Sequence, residues 1–258
     1  MKPYQPLCPA GEPPYVIAHR GISAKAPENT MAAFRLATGT PNINMIELDV
    51  RCSHDGTPVV IHDRTLQRTT TGNGAVRSYT VDELKKFDAG SWFHPTFSQE
   101  CIPTLLEVLS FVRGKCWVNV ELKGEFLVRS HEAFVRGVLE NVRESGMKDQ
   151  VLYSSFTHEL VASVRRLEPT AKTGVIYNFY RDFGRSPSKL AQRAGASVFV
   201  CARRELRRSM IRDVRQHSLA LYVYTLNSVQ DASKMVELEI DGIISDNADD
   251  IAPVVRGS

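Results

Sequence analysis

The stretches MIELDVR at 45–51 and WVNVELK at 117–123 decide how the chain folds. In the first, Ile46, Leu48 and Val50 alternate with Glu47, Asp49 and Arg51; in the second, Val118, Val120 and Leu122 alternate with Asn119, Glu121 and Lys123. Successive side chains of a strand point to opposite faces, so each stretch predicts one aliphatic and one charged face. Other short apolar or β-branched runs stand at 15–19, 151–156, 172–177, 197–201, 220–226 and 242–245. Between them lie helical patterns at 30–37, 131–145, 158–167, 188–194, 205–217 and 228–238, with a closing one at 248–255. Eight strands alternating with helices predict an α/β chain with a parallel sheet closed as a TIM-like (β/α)8 barrel.

In such a barrel the aliphatic faces of 45–51 and 117–123 meet the outer helices. Their charged faces then point inward, toward the strand C-termini, where barrels of this kind build their sites. One segment breaks the alternation. PVVIH at 58–62 follows the second strand after only six residues, which include the turn pair Asp55-Gly56. That gap is too short for a parallel crossover, so 58–62 is read as the return arm of a hairpin. The stretch 63–116 that follows the His62-Asp63 pair is expected as an insertion on a single domain spanning 1–258. It contains a Thr/Gly-rich loop at 69–74 and short helical patterns at 80–87 and 104–112.

Composition agrees with one ordinary folded unit. The chain has 258 residues, 43% apolar and 24% charged, which excludes a disordered chain. Thirty-two basic against 29 acidic residues give +3, too balanced to mark a nucleic-acid binder. No apolar run approaches the ~20 residues that span a bilayer, and the first residues lack an apolar signal core. The five cysteines are odd in number and scattered, without a C-x-x-C pair. A cytoplasmic chain with reduced thiols and no stable membrane anchor is therefore expected; oligomeric state is not legible.

Glu47, Asp49 and Glu121 on an inward face are costly unless compensated. Two readings compensate them: a hard divalent cation, Mg²⁺ or Ca²⁺, which takes oxygen ligands, or an ion-pair cluster with Lys123 and Arg20. Of seven histidines, His19 and His62 each end an apolar run. Both are expected at the mouth that holds the carboxylates, where two histidines can supply one base and one acid. Arg20 offers a bidentate grip on an anion, and with Lys123 suits a phosphoester better than a neutral substrate. Gly21 is read as a sharp exit from the first strand, and Asn29 as the N-cap of the helix at 30–37. His131, His158 and His217 are expected at the surface; His54 and His94 are given no role.

HRG at 19–21, PENT at 27–30, ELDV at 47–50, VVIHD at 59–63 and ELK at 121–123 resemble the glycerophosphodiester phosphodiesterases. So do LQRTTTGNG (66–74), LKKFDAGSWF (84–93), IPTLLEVL (102–109), SSF (154–156) and DGIISD (241–246). The resemblance implies a barrel with a small insertion and a metal on Glu47, Asp49 and Glu121. It implies acid/base work by His19 and His62, and phosphate contacts by Arg20 and Lys123. The implied reaction is hydrolysis of a small-molecule glycerophosphodiester to glycerol 3-phosphate and an alcohol. Phe156 is expected on the substrate. Where the family carries tryptophan, this chain has Tyr224 in YTLN (224–227), which still offers an aromatic wall. His19 is expected as base and His62 as acid.

Three rival readings exist. A lysophospholipase D or sphingomyelinase D-like enzyme would show an apolar rim, for which Trp92, Phe93 and Phe97 are the candidates. An idle barrel used as a binding module would have lost a ligand or a histidine, and none is lost. Nucleic-acid binding would use Arg204, Arg207 and Arg208, expected on one helix face, but one basic helix makes no stripe.

Overall fold

The computed structural model describes residues 12–124 and 131–256. In chain order its elements are β1 (Tyr15–His19), α1 (Met31–Gly39), β2 (Met45–Cys52), β3 (Pro58–Val60), α2 (Val81–Leu84), α3 (Leu105–Val112), β4 (Trp117–Leu122), α4 (His131–Glu144), β5 (Val151–Ser155), α5 (His158–Leu167), β6 (Lys172–Ile176), α6 (Phe179–Asp182), α7 (Pro187–Ala194), β7 (Val198–Ala202), α8 (Arg208–Gln216), β8 (Ala220–Tyr224), α9 (Val229–Glu237), β9 (Gly242–Ser245) and α10 (Ala248–Arg256). Eight parallel strands among the described residues, all but β3, run in the order β1-β9-β8-β7-β6-β5-β4-β2, and β1 pairs again with β2 to close the barrel. β3 returns antiparallel on β2, with Val60 opposite Val50, as the hairpin reading requires.

The period-two pattern explains the layering. Ile46, Leu48, Val50, Val118, Val120 and Leu122 are fully buried outside the sheet, against Phe34 of α1, Val108 and Val112 of α3 and Val135 and Val138 of α4. Burying each such side chain contributes about 1.5–3 kcal/mol. Inside the barrel, Tyr15, Ile17, Met45, Trp117, Leu152, Val198 and Tyr222 fill the lower layers. The upper layer is polar. The pairing register sets His19 beside Glu47, Glu47 beside Asn119 and Asp49 beside Glu121.

The stretch 63–116 divides in two. Val59, Ile61, Leu66, Val76, Leu84, Ala89 and Ile102 form a small core of their own. Leu105, Val108, Leu109 and Val112 of α3 belong instead to the main core, between α1 and α4. We propose that the added unit ends before α3, which is the barrel's own second outer helix.

Two helix starts differ from expectation. Thr30, not Asn29, is the N-cap of α1; its side chain accepts from the Ala33 N–H. The helix expected over 205–217 begins only at Arg208, because Leu206 and Arg207 are extended. Arg204 and Arg207 therefore lie on the loop leaving the C-terminal end of β7, and the shared helix face does not form. No helix among the described residues is long and apolar enough to cross a membrane, and the described cysteines form no disulfide.

Candidate active site

A cavity of about 190 Å³ opens at the C-terminal end of the barrel. His19, Arg20, Glu47, His62, Glu121, Lys123, Phe156 and Tyr224 all line it, together with Asn119 and Thr225. Asp49 lies just behind, fully buried. The structure thus brings together the nine residues singled out from the sequence.

The turn after β1 needs unusual backbone. Arg20 has φ 57° and Gly21 φ 82°. A Cβ on Gly21 would stand 2.6 Å from the Ala33 carbonyl carbon, so this position requires glycine for space as well as for conformation. The turn aims Arg20 across the carboxylates. Its Nη1 donates to Glu28 Oε1 at 2.9 Å, and its Nε lies 3.2 Å from Asp49 Oδ2. Its backbone N–H donates to Glu47 Oε2 at 3.1 Å. Lys123 Nζ reaches Asp49 Oδ1 at 2.8 Å and also bonds Glu121 Oε1. Asn29, at φ 58°, donates from Nδ2 to Asp49 Oδ2 at 2.7 Å and accepts from the Asp49 N–H at 3.2 Å. It holds Asp49 in place from behind.

The carboxylates differ sharply. Burial works against Asp49, but Lys123 and Arg20 outweigh it and hold this carboxyl well below the usual range. Glu47 has weaker compensation; burial and the charge of Asp49 push it up to about 8. Glu47 Oε1 is buried without a hydrogen-bond partner. Glu47, Asp49 and Glu121 each present an oxygen, all within 4.8 Å of one another and all on buried residues. A buried acceptor without a partner, inside a cluster of hard oxygen donors, fits a divalent cation.

Each histidine at the cavity has a carboxylate behind it. His19 Nδ1 lies 2.6 Å from Asp246 Oδ1, and His62 Nδ1 lies 2.6 Å from Asp63 Oδ1. Either bond leaves Nε2 for the cavity, and His19 Nε2 is 3.9 Å from Glu47 Oε2. The backing carboxylates are not equivalent. Asp246 is held by neutral donors, Asn227 Nδ2 at 2.7 Å and Ser23 Oγ at 2.9 Å. Asp63 is already paired with a cation, Arg68 Nε at 2.6 Å. Burial disfavours protonation of His19, but the Asp246 bond and the Glu47 charge outweigh it, so its pKa is raised. At His62, burial and the nearby Lys123 and Arg20 charges win over the pull of Asp49, so its pKa is lowered.

Asp63 and Asp246 stand in the motifs VVIHD and DGIISD, which by themselves mark no role for either. Asp63 carried a signal, its adjacency to His62. Asp246 carried none, since it meets His19 only through the β1–β9 pairing. Phe156 and Tyr224 stand edge to face at 6.3 Å on one wall, with Lys123 Nζ 6.0 Å from the Phe156 ring. Of the remaining histidines, His158 is partly buried, with Nε2 3.1 Å from the Ile176 carbonyl, whereas His217 is exposed. Trp92 is 42% exposed in the added unit and packs edge to face on Phe93.

Comparison with known proteins gives a consistent result. The model of the glycerophosphoryl diester phosphodiesterase family matches residues 19–250. The chain is 34% identical over 242 residues to a glycerophosphodiester phosphodiesterase of Caldanaerobacter subterraneus subsp. tengcongensis, covering 93% of this chain and 97% of that protein. Among solved structures it is similar to an Oleispira antarctica phosphodiesterase in complex with the product sn-glycerol-3-phosphate. That likeness has a TM-score of 0.87 at 30% identity and covers 94% of this chain and 97% of the other. A glycerophosphodiester phosphodiesterase from Agrobacterium tumefaciens str. C58 superposes with a TM-score of 0.80 at 32% identity, over 92% and 98% of the two chains.

Proposed function

Because the chain belongs to the glycerophosphoryl diester phosphodiesterase family, we propose that it hydrolyses glycerophosphodiesters to glycerol 3-phosphate and an alcohol, with a divalent cation and two histidines of opposite duty. One observation carries this reading. Two histidines, each backed by a carboxylate at 2.6 Å, line the same cavity as two cations and two members of a three-carboxylate cluster.

Glu47, Asp49 and Glu121 would hold the cation, Mg²⁺ or Ca²⁺. When bound, it supplies Lewis-acid stabilisation of charge on the phosphoryl oxygens. Arg20 and Lys123 add fixed positive charge there, worth most in a cleft from which water is excluded. Phe156 and Tyr224 wall the space for the alcohol group, and aromatic faces suit a cationic one.

The environments divide the acid/base work. A base must be unprotonated at the start of the reaction and an acid protonated. His62, lowered, suits the base; His19, raised, suits the acid. This reverses the order expected from the sequence, which had no access to the unequal backing of the two carboxylates. The attacking oxygen gives its proton to His62 Nε2; if it is the adjacent glycerol hydroxyl instead of water, the first product is a cyclic phosphate, which water must then open to give glycerol 3-phosphate. The P–O bond to the alcohol breaks, and the leaving oxygen takes the proton of His19.

Rate should rise with pH through the depressed pKa of His62, below the ordinary 6.5, and fall through the raised pKa of His19, above it. Asp246→Asn removes the charge behind His19. Its alkaline limb in a kcat/KM–pH profile should therefore move to lower pH, with the acid limb in place. An unmoved alkaline limb would detach Asp246 from the acid. The proposal as a whole is tested by release of glycerol 3-phosphate from glycerophosphocholine. Chelation should abolish it and added Mg²⁺ or Ca²⁺ should restore it; full turnover in metal-free protein would overturn the metal requirement.

A further inference from the structure

The arginines that no helix face absorbed lie beside a cluster of exposed aromatic rings. Tyr180 is 93% exposed and Phe183 64%, on and just after the single turn α6. Phe179 packs edge to face on both, at 5.8 Å and 5.1 Å. From the neighbouring loop after β7, the Arg207 guanidinium sits 5.8 Å from the Phe179 ring and 5.9 Å from the Phe183 ring. Arg181 and Arg185 flank the rings on their own loop, and Arg204 is exposed on the second.

Both loops leave the C-terminal ends of adjacent parallel strands, β6 and β7, at the end of the barrel that holds the cavity. Arg181 Nη2 also donates to the carbonyl of Phe156, whose ring lines that cavity, at 2.5 Å. The patch therefore borders the mouth. Asp182 offsets part of this charge: it is buried, with Oδ2 on the Asn178 N–H and Oδ1 3.6 Å from Arg185 Nη1, so Arg181, Arg204 and Arg207 carry the patch's positive charge. A second cavity of about 270 Å³ opens beside the rings, lined in part by Arg181, Arg185 and Arg193.

We propose that this aromatic–arginine patch docks the mouth of the barrel reversibly on an anionic phospholipid surface. Amphipathic rings favour the level of the headgroups, and arginines among them are drawn to the negative surface, each worth about fivefold in partitioning. Charge complementarity selects the anionic surface over a neutral one. The geometry fits a surface better than a nucleic-acid strand, which calls for stacking faces along a basic groove. Here the rings cluster on one turn and pack against one another. The inference rests on this surface alone and is separate from the hydrolytic reading.

The test is cosedimentation of the full chain with vesicles of equimolar phosphatidylglycerol and phosphatidylcholine, or of phosphatidylcholine alone. Binding is expected to the anionic vesicles only, and to weaken with salt. The double variant Tyr180→Ser with Phe183→Ser alters two largely exposed side chains, and its unchanged thermal melt would verify folding. It should lose about tenfold or more in partitioning while cleaving a soluble glycerophosphodiester as before. Arg207→Glu, a change of two charges, should weaken partitioning to the anionic vesicles by about 25-fold. Absence of sedimentation, equal binding to both vesicles, or variants that bind like the parent chain would overturn the proposal. So would tighter, Phe183-dependent binding of a single-stranded oligonucleotide.

Discussion

The His62→Ala variant is expected to lose about 10²–10⁴-fold in kcat on glycerophosphocholine, and to lose a comparable factor on a glycerophosphodiester with a p-nitrophenolate leaving group. A base acts on the nucleophile, which is the same in both reactions. The His19→Ala variant should separate the two substrates. A choline alkoxide leaves badly without a proton, whereas p-nitrophenolate leaves readily without one. His19→Ala should therefore be crippled on glycerophosphocholine and keep much of its rate on the activated diester. The asymmetry follows from Asp246, held by neutral Asn227 and Ser23, against Asp63, already paired with Arg68. Rescue of His62→Ala instead would restore the order expected from the sequence. Equal loss of both substrates in both variants would make the histidines positioning groups.

Glu47→Gln should combine a large loss of activity with a gain in metal-free stability. In the metal-free fold Glu47 is raised from 4.5 to about 8 by burial and by Asp49. A carboxyl with a raised folded-state pKa stabilises the fold fully below its unfolded value, and that contribution is lost as pH rises through the folded one. Between pH 4.5 and about 8 the metal-free protein should thus lose on the order of a few kcal/mol from this group alone. Glutamine carries no charge and avoids that loss, so metal-free Glu47→Gln should melt higher than the parent chain at pH 8. The order should invert with Mg²⁺ or Ca²⁺ present, because glutamine is a poorer ligand than a carboxylate. Activity should fall at least about 10²-fold at limiting cation; even losses of outer ligand partners typically cost about 10–100-fold. Thermal melts with and without cation, beside metal titrations of activity, check both halves. Equal cation stabilisation of both proteins would return the cluster to a set of ion pairs with Lys123 and Arg20.

Much of this was legible because a barrel strand reports its two faces separately. The alternation in 45–51 and 117–123 placed Glu47, Asp49 and Glu121 inward, and the register aligns Asp49 with Glu121. His19 and His62 were legible as polar ends of apolar runs. What escaped depends on contacts across the closed barrel. Asp246 lies 227 residues from His19, and its role exists only once β9 pairs with β1. Asn29 read as a helix cap because Asn and Thr both cap well; the positive φ that turns it onto Asp49 leaves no mark in the sequence. The arginines at 204 and 207 matched helical spacing, but that spacing does not reveal where a helix begins. The packing of α3 between α1 and α4, which supports the boundary proposed before it, leaves no mark in the sequence of 63–116.

Phosphorus NMR of the purified protein with glycerophosphocholine tests the central claim most directly. The diester resonance should disappear as a phosphomonoester resonance, that of glycerol 3-phosphate, grows in its place. The conversion should stop with chelator and resume with Mg²⁺ or Ca²⁺. A diester resonance that persists unchanged with cation supplied would contradict the account, as would phosphocholine in place of glycerol 3-phosphate, since cleavage would then fall on the other side of phosphorus.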